Sequence, residues 1–309
     1  MEKLKNKEWV FIINPIAGNG YAKTLTPKIE EMIRKYSINA VVVHSEKKGH
    51  AGQLAKHYAD NGSNYIIGVG GDGTINEIAS GVLHEKNVTI GIVPAGTGND
   101  FVHILGFPSR FEEEHWEVLF EKNTNLIDVG LCNGLPFING MGLGFDAQAA
   151  AENYTEPGEV KKGGKNKYLY QIIKTILFYK EQKMTVLSEE NKHETDCFIN
   201  TVSIGRRFGG GFYLTPKAIA NDGLFDVCMV KKLSIPERFM MLPKVPKGTH
   251  LQNKKVNYYQ TSKIEIEFSQ EAPFHLDGEI HYSKHFDISI LPGAMNVIYN
   301  PSGNHYFRN

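Results

Sequence analysis

Three apolar runs near the start of the chain each end in a loop of glycine and small polar residues, and this repetition strongly limits the fold. The runs are Val10–Ile13, Tyr65–Val69 and Val88–Val93. They are continuous and do not alternate with polar residues, which is typical of parallel strands covered on both faces. Amphipathic segments separate them, so the order of elements predicts an open, Rossmann-like α/β sheet over residues 1–127.

The loop after the second run reads Gly70-Gly71-Asp72-Gly73-Thr74 and precedes a segment of helical periodicity. Glycines let a ligand approach the backbone closely, and the first turn of a helix offers free N–H groups and the positive end of its dipole. Taken alone, this segment could be a tight turn without a ligand. Similar loops, residues 14–20 and 94–101, follow the other two runs. Because parallel strands end at one edge of a sheet, the three loops together predict a nucleotide cleft.

The segment Gly68–Gly73 also fits the GxGxxG pattern of dinucleotide-binding folds, but that pattern alone has low specificity. Asp72 would repel a bare pyrophosphate, and no acidic residue ends the next run to bind a ribose. The sequence contains no Walker A motif. A carboxylate in this loop fits better beside a Mg²⁺ ion that a nucleotide carries.

The second half of the chain has a different pattern, in which glycine and polar turns separate runs rich in β-branched and aromatic residues. It predicts a second, β-rich sandwich domain over residues 128–292. One helical segment, Tyr168–Lys180, interrupts these runs.

Charge and cysteine content exclude several classes of protein. The 34 Lys and Arg residues balance 34 Asp and Glu residues, so the basic surplus of a nucleic-acid-coating protein is missing and no nucleic-acid partner is expected. The three cysteines lie far apart without CxxC spacing, which is typical of reduced cytoplasmic thiols. The longest apolar stretch, Tyr168–Tyr179, contains Gln171 and Lys174 and is too short to span a bilayer. Any membrane contact is therefore expected to be peripheral.

Seven motifs resemble those of one enzyme family. The segments NPIAGNG, GGDGTINE and PAGTGNDF resemble the three N-terminal motifs of the diacylglycerol kinase catalytic domain, most closely that of the soluble bacterial lipid kinases. The segments NGMGLGFDA, SIGRRFGGG, TPKA…NDGLFDV and LDGE are similar to motifs of the family's second domain. The resemblance runs in order from about residue 10 to residue 299. It implies a NAD kinase/diacylglycerol kinase-like fold, in which residues 293–309 return to the first domain.

The resemblance implies an ATP site in the first domain. The residues that would bind ATP are Asn14, Ser45, Gly70, Gly71, Asp72, Gly73, Thr74, Ile75, Asn76 and Thr97. The family often has Thr at the position of Ser45. The alternative for Ser45 is a helix N-cap, a position that serine favours.

The resemblance also implies the catalytic residues of a phosphoryl transfer, which needs charge neutralisation, alignment and a route for the alcohol proton. Asp72 would organise Mg²⁺, directly or through water, with Asp100 in the same network. Glu279 is the preferred general base and Asp277 the competing one, and the sequence does not separate them. Without the family, the pair would be a solvated turn, because Gly278 favours a turn between them.

A second, structural Mg²⁺ site is implied by the resemblance. Asp222 would supply a carboxylate, and Ile219 and Leu224 would supply backbone carbonyls, with waters completing an octahedron. By residue type alone, Asn221-Asp222-Gly223 is a good turn, and the two interpretations are compatible.

Four lysines between Lys161 and Lys167 precede the Tyr168–Lys180 segment. This pairing suits an anionic bilayer surface. An ordinary amphipathic helix packed on the core is the commoner use of such a segment, and we favour it for the helix. Arg206 and Arg207, before a glycine run, could bind phosphate or form a solvated charged pair.

These observations predict an ATP- and Mg²⁺-dependent lipid kinase that phosphorylates diacylglycerol to phosphatidic acid. Its expected location is the cytoplasm, peripheral to the inner membrane surface, and a homodimer is left open. The alternatives are a kinase of another lipid, such as a sphingoid base or glycolipid, and a non-catalytic lipid- or nucleotide-binding regulator. NAD kinase shares GGDGT but lacks the LDGE and RRFGGG segments.

Overall fold

The computed structural model describes residues 7–152, 154–156, 159–160, 173–187 and 192–308. The chain forms two compact units. The first contains Met1–Val129, Ala220–Asp222 and Pro292–Asn309, and the second contains Gly130–Ile219 and Gly223–Leu291. The sequence analysis placed its boundaries at residues 127 and 293, but it did not assign the short segment at 220–222 to the first unit.

The strands in chain order are β1 (Trp9–Ile13), β2 (Ala40–His44), β3 (Tyr65–Gly70), β4 (Thr89–Pro94), β5 (Thr124–Cys132), β6 (Leu135–Phe137), β7 (Gly140–Gly144), β8 (Tyr154–Glu156), β9 (Glu159–Val160), β10 (Gln182–Leu187), β11 (Lys192–Ser203), β12 (Phe225–Lys231), β13 (Val256–Thr261), β14 (Lys263–Leu276) and β15 (Glu279–Ile298). The α-helices are α1 (Tyr21–Thr24), α2 (Thr26–Lys35), α3 (His50–Asp60), α4 (Asp72–Val82), α5 (Glu113–Phe120), α6 (Phe145–Ala151) and α7 (Ile235–Met241). Residues 173–178 are also helical. Short 3₁₀ segments span Phe101–His103, Leu242–Lys247 and Thr249–Gln252.

The first unit is built on a parallel sheet in the order β2-β1-β3-β4. The end of β15 joins this sheet, because Asn296 and Val297 pair in parallel with β4. All five residues of β1 are buried, and Trp9 stacks on Tyr65 with ring centroids 4.4 Å apart. Burial on both faces explains the continuous apolar run, since each large apolar side chain contributes about 1.5–3 kcal/mol when fully buried.

Two glycines let α3 and α4 pack backbone against backbone. A Cβ atom at Gly81 of α4 would lie 2.4 Å from the carbonyl oxygen of Gly52 in α3. A Cβ atom at Gly52 would lie 2.6 Å from the carbonyl oxygen of Glu77. Any larger residue would separate the helices, and α4 is the helix that follows the glycine loop of β3.

The second unit is mainly antiparallel, with β13-β12-β11-β10-β14-β15 as its main strand order. β7 pairs with β11 and with β14, and β14 forms a long hairpin with β15. An α/β unit followed by a strand-rich unit is the predicted fold class, which is confirmed. The lysines at 161–167 and the beginning of the predicted Tyr168–Lys180 helix lie outside the described residues. None of the helices in the described part of the chain is long and apolar enough to cross a membrane.

Candidate functional site

Backbone hydrogen bonds join the loops that follow the parallel strands of the first unit. The N–H of Asn14, after β1, donates to the carbonyl oxygen of Val69 at 3.0 Å. The N–H groups of Ala95 and Gly96, after β4, donate to the carbonyl oxygen of Gly70 at 2.7 and 3.0 Å. The loops therefore meet at the carboxyl edge of the sheet, where open α/β folds bind ligands.

Glycine is required where two of these loops touch. A Cβ atom at Gly96 would lie 2.3 Å from the Cα atom of Gly71, and one at Gly71 would lie 2.9 Å from the Cα atom of Gly96. Gly18 has φ of +59°, and a Cβ atom there would lie 2.2 Å from the carbonyl oxygen of Ala95. At these glycines, the wall of the site is therefore backbone.

A cleft of about 330 Å³ opens between these loops. It is lined by Asn14, Pro15, Ile16, Ala17, Gly18, Ser45, Glu46, Lys47, Lys48, Gly71, Gly73, Thr74, Glu77 and Gly96. The Asn14 Nδ2 atom donates to Thr74 Oγ1 at 3.0 Å, so two predicted residues are joined directly. The volume lies at the lower end of the range of ligand pockets, and the glycine-rich wall suits phosphate groups.

Five residues of the predicted nucleotide set do not line this cleft. Gly70 is buried, and Thr74 Oγ1 fills the space beside its Cα. Ile75 is buried in α4 and Thr97 is exposed on the next loop. The remaining two are Asp72 and Asn76.

Ser45 does not cap a helix. Helix α3 begins at His50, with Gly49 at its N-cap position and no side-chain cap. The N-cap alternative for Ser45 is therefore wrong. Its N–H donates to the carbonyl oxygen of Ile13 at 2.9 Å, and the buried side chain lines the cleft.

Four charged residues of the cleft were not part of the predicted site, namely Glu46, Lys47, Lys48 and Glu77. Lys47 and Lys48 are exposed on the loop after β2, and their charges suit phosphate oxygens. Glu77 accepts hydrogen bonds from the N–H groups of Gly49 and Ala51 at 2.8 and 3.2 Å, so its carboxylate positions that loop. A Lys-Lys pair two residues beyond Ser45 was the available sequence signal.

Asp72 connects α4 to the loop after β4. Its Oδ1 atom accepts the N–H of Phe101 at 2.9 Å. Burial raises the pKa of the Asp72 carboxyl, and the backbone N–H groups of Phe101, Asp100 and Asn99 oppose that shift. Asp72 is thus oriented by the protein backbone.

Asn99 organises the same loop, although the sequence analysis gave it no role. It is buried and has a positive φ of 55°. Its Oδ1 atom accepts the N–H of Gly96 at 2.9 Å, and its Nδ2 atom donates to the carbonyl oxygens of Gly96 and Ser109, both at 3.1 Å. Asp100 is buried directly beside it. The available signal was an asparagine after glycine, since Asn tolerates the left-handed conformation.

In the second unit, Asp277 holds the segment that leads into β7. Its carboxylate accepts three backbone N–H groups, those of Ile138 at 2.8 Å, Asn139 at 2.9 Å and Gly140 at 2.8 Å. Asp277 itself has a φ of +47°. The interpretation of this residue as a solvated charge on a turn is therefore wrong.

Glu279 begins β15 on the other side of the same turn. Gly278, with a φ of +91°, follows Asp277 in the two-residue connection of the β14–β15 hairpin, so the predicted turn is confirmed. Glu279 pairs with Leu276 across the ladder and is half-buried.

A close contact between a histidine and an aspartate involves this hairpin, and the sequence analysis gave neither residue a role. His275 Nε2 of β14 is 3.4 Å from Asp146 Oδ2 of α6. A Cβ atom at Gly142 would lie 2.2 Å from Asp146 Oδ2 and 2.3 Å from His275 Nε2. The glycine in the middle of NGMGLGFDA therefore leaves the space that this pair occupies.

The predicted ligands of the structural Mg²⁺ site are divided between the units. Asp222 belongs to the first unit, and Ile219 and Leu224 belong to the second. Among the described residues, no cluster of three or more His, Cys, Asp or Glu side chains could hold a metal ion. A site made of one carboxylate and two carbonyls stays a prediction.

Comparison with known families identifies the class of protein. The profile of the diacylglycerol kinase catalytic domain matches residues 8–132, and the YegS C-terminal NAD kinase beta sandwich-like domain matches residues 140–299. The chain belongs to the diacylglycerol kinase family of lipid kinases. As a member of this family it is an enzyme, a lipid kinase.

Relatives of this lipid kinase match along most of its length. A "Probable lipid kinase YegS-like" of Cronobacter sakazakii is 30% identical, with 81% of this chain and 82% of that protein covered. The diacylglycerol kinase of Bacillus subtilis is 26% identical, with 93% and 92% covered. A diacylglycerol kinase from Bacillus anthracis of known crystal structure has a TM-score of 0.72 at 21% identity, with 96% and 98% covered, and supports the fold alone.

Proposed function

We propose that this lipid kinase uses ATP and Mg²⁺ to phosphorylate diacylglycerol, giving phosphatidic acid and ADP. The bond between the γ-phosphorus and the bridging β,γ-oxygen breaks, and a bond forms between that phosphorus and the lipid hydroxyl oxygen. The hydroxyl proton passes to a protein carboxylate. The observation that carries the proposal is the glycine-walled cleft at the start of α4.

The walls of the cleft fit the phosphates of ATP. Gly71 and Gly96 bring backbone to the surface of the site, where no Cβ atom has room. The N-terminus of α4 adds its N–H groups and the positive end of its dipole. Lys47 and Lys48 add positive charge from the loop after β2. Asn14 and Thr74, joined by their hydrogen bond, offer polar atoms at the cleft wall.

Mg²⁺ bound with ATP would neutralise charge on the transferred phosphoryl group. Asp72 suits this ion because the N–H of Phe101 orients its carboxylate without neutralising its charge. Asp100 is the second acidic group that we assign to this network. We also assign a structural Mg²⁺ site to Asp222 and the carbonyls of Ile219 and Leu224.

Glu279 is the general base that we propose. Asp277 is less suited to that role, because three backbone N–H groups already bind its carboxylate and would have to be released or reoriented. Asp277 then positions the hairpin turn from which Glu279 extends. We thus propose different roles for the two carboxylates of the LDGE motif, whereas the sequence alone leaves open which of them is the base.

Diacylglycerol is proposed as the acceptor because the Bacillus subtilis relative bears that name. A sphingoid base or a glycolipid is the alternative, since the YegS-like relative is named only as a lipid kinase. Such acceptors lie in membranes, so we place the enzyme at the cytoplasmic surface of the inner membrane, in peripheral contact with it.

The test is transfer of labelled phosphate from ATP, with Mg²⁺, to a panel of micellar lipids and to NAD. Label in phosphatidic acid supports the proposal. If another lipid is labelled, the proposed mechanism stands and that lipid is the acceptor. If NAD is labelled, the proposal of a lipid acceptor is wrong. Binding of ATP without transfer to any acceptor would favour a non-catalytic regulator.

A further inference from the structure

Two short helices of the second unit carry most of the exposed apolar side chains. Six of the ten large hydrophobic side chains exposed in the described part of the chain lie on residues 173–178 and on α7. They are Ile173, Leu177, Phe178, Ile235, Phe239 and Met240, here called the apolar surface. Phe178 is 73% exposed and Met240 is 60% exposed. A concentration of this kind is typical of an interaction site.

Arg238 holds the two helices side by side. It extends from α7, and its Nη1 atom donates to the carbonyl oxygens of Ile176 at 2.6 Å and Tyr179 at 3.1 Å. Its Nη2 atom donates to the Glu181 carboxylate at 2.6 Å, and both side chains of this ion pair are buried. The guanidinium also lies 5.0 Å from the centre of the Phe198 ring. The last turn of the 173–178 helix is therefore fixed against α7 by a buried charge.

The pattern of burial is the reverse of that in an ordinary surface helix. The charged side chains of Arg238 and Glu181 are buried, whereas Phe178, Phe239 and Met240 are exposed. A helix that simply packed on the core would bury its large apolar residues. The sequence analysis favoured such packing for this segment, but only Thr175 and Ile176 of residues 173–178 are buried.

Exposed lysines lie within or next to both helices in the chain. Lys174 and Lys180 lie within or beside the first helix, and Lys244 and Lys247 follow α7. All four are exposed, and none forms an ion pair with another described residue. The nearby carboxylates are already engaged, since Glu181 binds Arg238 and Glu237 binds Lys255 and Ser234.

We infer that the apolar surface docks on an anionic lipid bilayer. The apolar side chains would enter the boundary between headgroups and acyl chains, and the four lysines would contact anionic headgroups. The inference rests on the proposed function, which places the acceptor lipid in a membrane. It identifies the face of the second unit that meets that membrane.

Charge favours a bilayer over a second copy of the chain. A symmetric dimer through this surface would bring the same lysines of both copies together, and like charges at close range repel. An anionic membrane instead supplies the opposite charge and attracts basic residues near its surface.

The test compares binding to phosphatidylcholine vesicles with and without anionic phosphatidylglycerol, measured by co-sedimentation of the full chain. Phe178→Gln with Met240→Gln removes apolar contacts, and Lys174→Gln with Lys180→Gln removes charge. The matched controls are Leu126→Gln with Tyr282→Gln, at similarly exposed apolar sites, and Lys23→Gln with Lys86→Gln, at exposed lysines.

We expect the parent protein to bind vesicles that contain phosphatidylglycerol, and raised salt to weaken that binding. The lysine pair should lower the affinity about thirtyfold, the equivalent of about 1 kcal/mol per charge. The apolar pair should lower it at least about tenfold. Both control pairs should bind as the parent does.

Phosphorylation of a short-chain diacylglycerol in detergent micelles separates the inference from the proposed function. Retained micellar activity with lost vesicle binding in the surface variants supports docking. Equal vesicle binding by parent and surface variants overturns it, even if the micellar activity stands. A parent dimer that the apolar pair converts to monomers, with vesicle binding unchanged, would assign the surface to a contact between copies. Absence of micellar activity in the parent would instead contradict the proposed acceptor.

Discussion

Asp277 and Gly140 exchange two hydrogen bonds: the Gly140 N–H donates to the Asp277 carboxylate at 2.8 Å, and the Asp277 N–H donates to the Gly140 carbonyl oxygen at 3.0 Å. This reciprocal contact joins the tip of the β14–β15 hairpin to the beginning of β7. It makes Asp277 part of the framework of the second unit, two residues from the carboxylate that we propose as the base.

Replacing Asp277 should therefore mainly lower the stability of the fold, whereas replacing Glu279 should mainly lower turnover. Asp277→Asn replaces an acceptor with an N–H donor facing a backbone N–H, and should lower the free energy of unfolding by about 1–3 kcal/mol. Glu279→Gln should lower kcat about 10²–10⁴-fold without a loss of stability. Thermal unfolding and steady-state kinetics measure both effects. An Asp277→Asn variant of parental stability that lacks turnover would make Asp277 the base.

The contact between Gly71 and Gly96 should not tolerate a methyl group. Gly96→Ala places a Cβ atom 2.3 Å from the Cα atom of Gly71, and we expect a loss of about 1–3 kcal/mol in the free energy of unfolding, together with weaker ATP binding. Gly73→Ala is the matched control for stability alone, because a Cβ atom there meets no heavy atom within 4 Å. Urea unfolding and calorimetry of ATP binding measure the two effects. Equal stability of both variants would contradict the packing argument.

Lys47 and Lys48 should increase the affinity for ATP. Replacing each with Gln should raise the KM for ATP about fivefold, the equivalent of about 1 kcal/mol for an exposed charge, and raised salt should reduce the difference. Lys86→Gln, an exposed lysine outside the cleft, serves as the control. If both cleft variants retain the parental KM at low salt, the phosphates do not contact this loop.

His250 should make the fold less stable in mild acid. It is buried, its Nε2 atom lies 3.1 Å from the Leu214 carbonyl oxygen, and burial lowers its pKa below 6.5, partly opposed by that carbonyl. Below pH 6.5 the unfolded chain therefore binds a proton that the folded chain resists, so stability is present above that pH and falls below it, by at most about 1.4 kcal/mol per pH unit.

Urea midpoints between neutral pH and mild acid measure this effect. A His250→Gln variant should lose part of the slope, whereas His84→Gln, at an exposed position, should keep it. Identical slopes in the parent and His250→Gln would remove His250 as the cause.

The three cysteines should be unreactive in the folded enzyme. Burial raises the pKa of Cys132 and of Cys228 to about 12 and raises that of Cys197 well above its usual value. A disulfide reagent at mildly alkaline pH should therefore titrate none of the thiols before unfolding and all of them in denaturant, because the thiolate is the reactive form. Rapid reaction of one thiol in the native protein would contradict its burial.

Local sequence patterns predicted the framework of the site well. The unbroken run in β1 and the glycine loops after β3 and β4 follow from burial on both faces and from close backbone contacts, and both are properties of short segments. The structural role of the Asp277 side chain could not be predicted from such short segments. Its carboxylate accepts hydrogen bonds from residues more than 130 positions away in the sequence, namely Ile138, Asn139 and Gly140. Only the folded chain brings these N–H groups to Asp277.

Ser45 and His275 illustrate two further limits. Serine before a helix favours the N-cap, but the helix begins only at His50, five residues after Ser45, with Gly49 at the N-cap position. The side chains of His275 and Asp146 meet in the space that a Cβ atom at position 142 would fill. A glycine within a strand suggests a close approach by another group, but the sequence does not identify that group.

The first unit is assembled from three separate parts of the chain. Its sheet includes Asn296 and Val297 beside β4, and the N–H of Ala220 donates to the carbonyl oxygen of Tyr306 at 2.9 Å. During synthesis, the proposed nucleotide-binding unit therefore obtains its last strand only after the whole of the second unit has been made. An unfinished chain has an open sheet edge beside β4, so premature termination should yield aggregation-prone fragments and no separately active nucleotide-binding half.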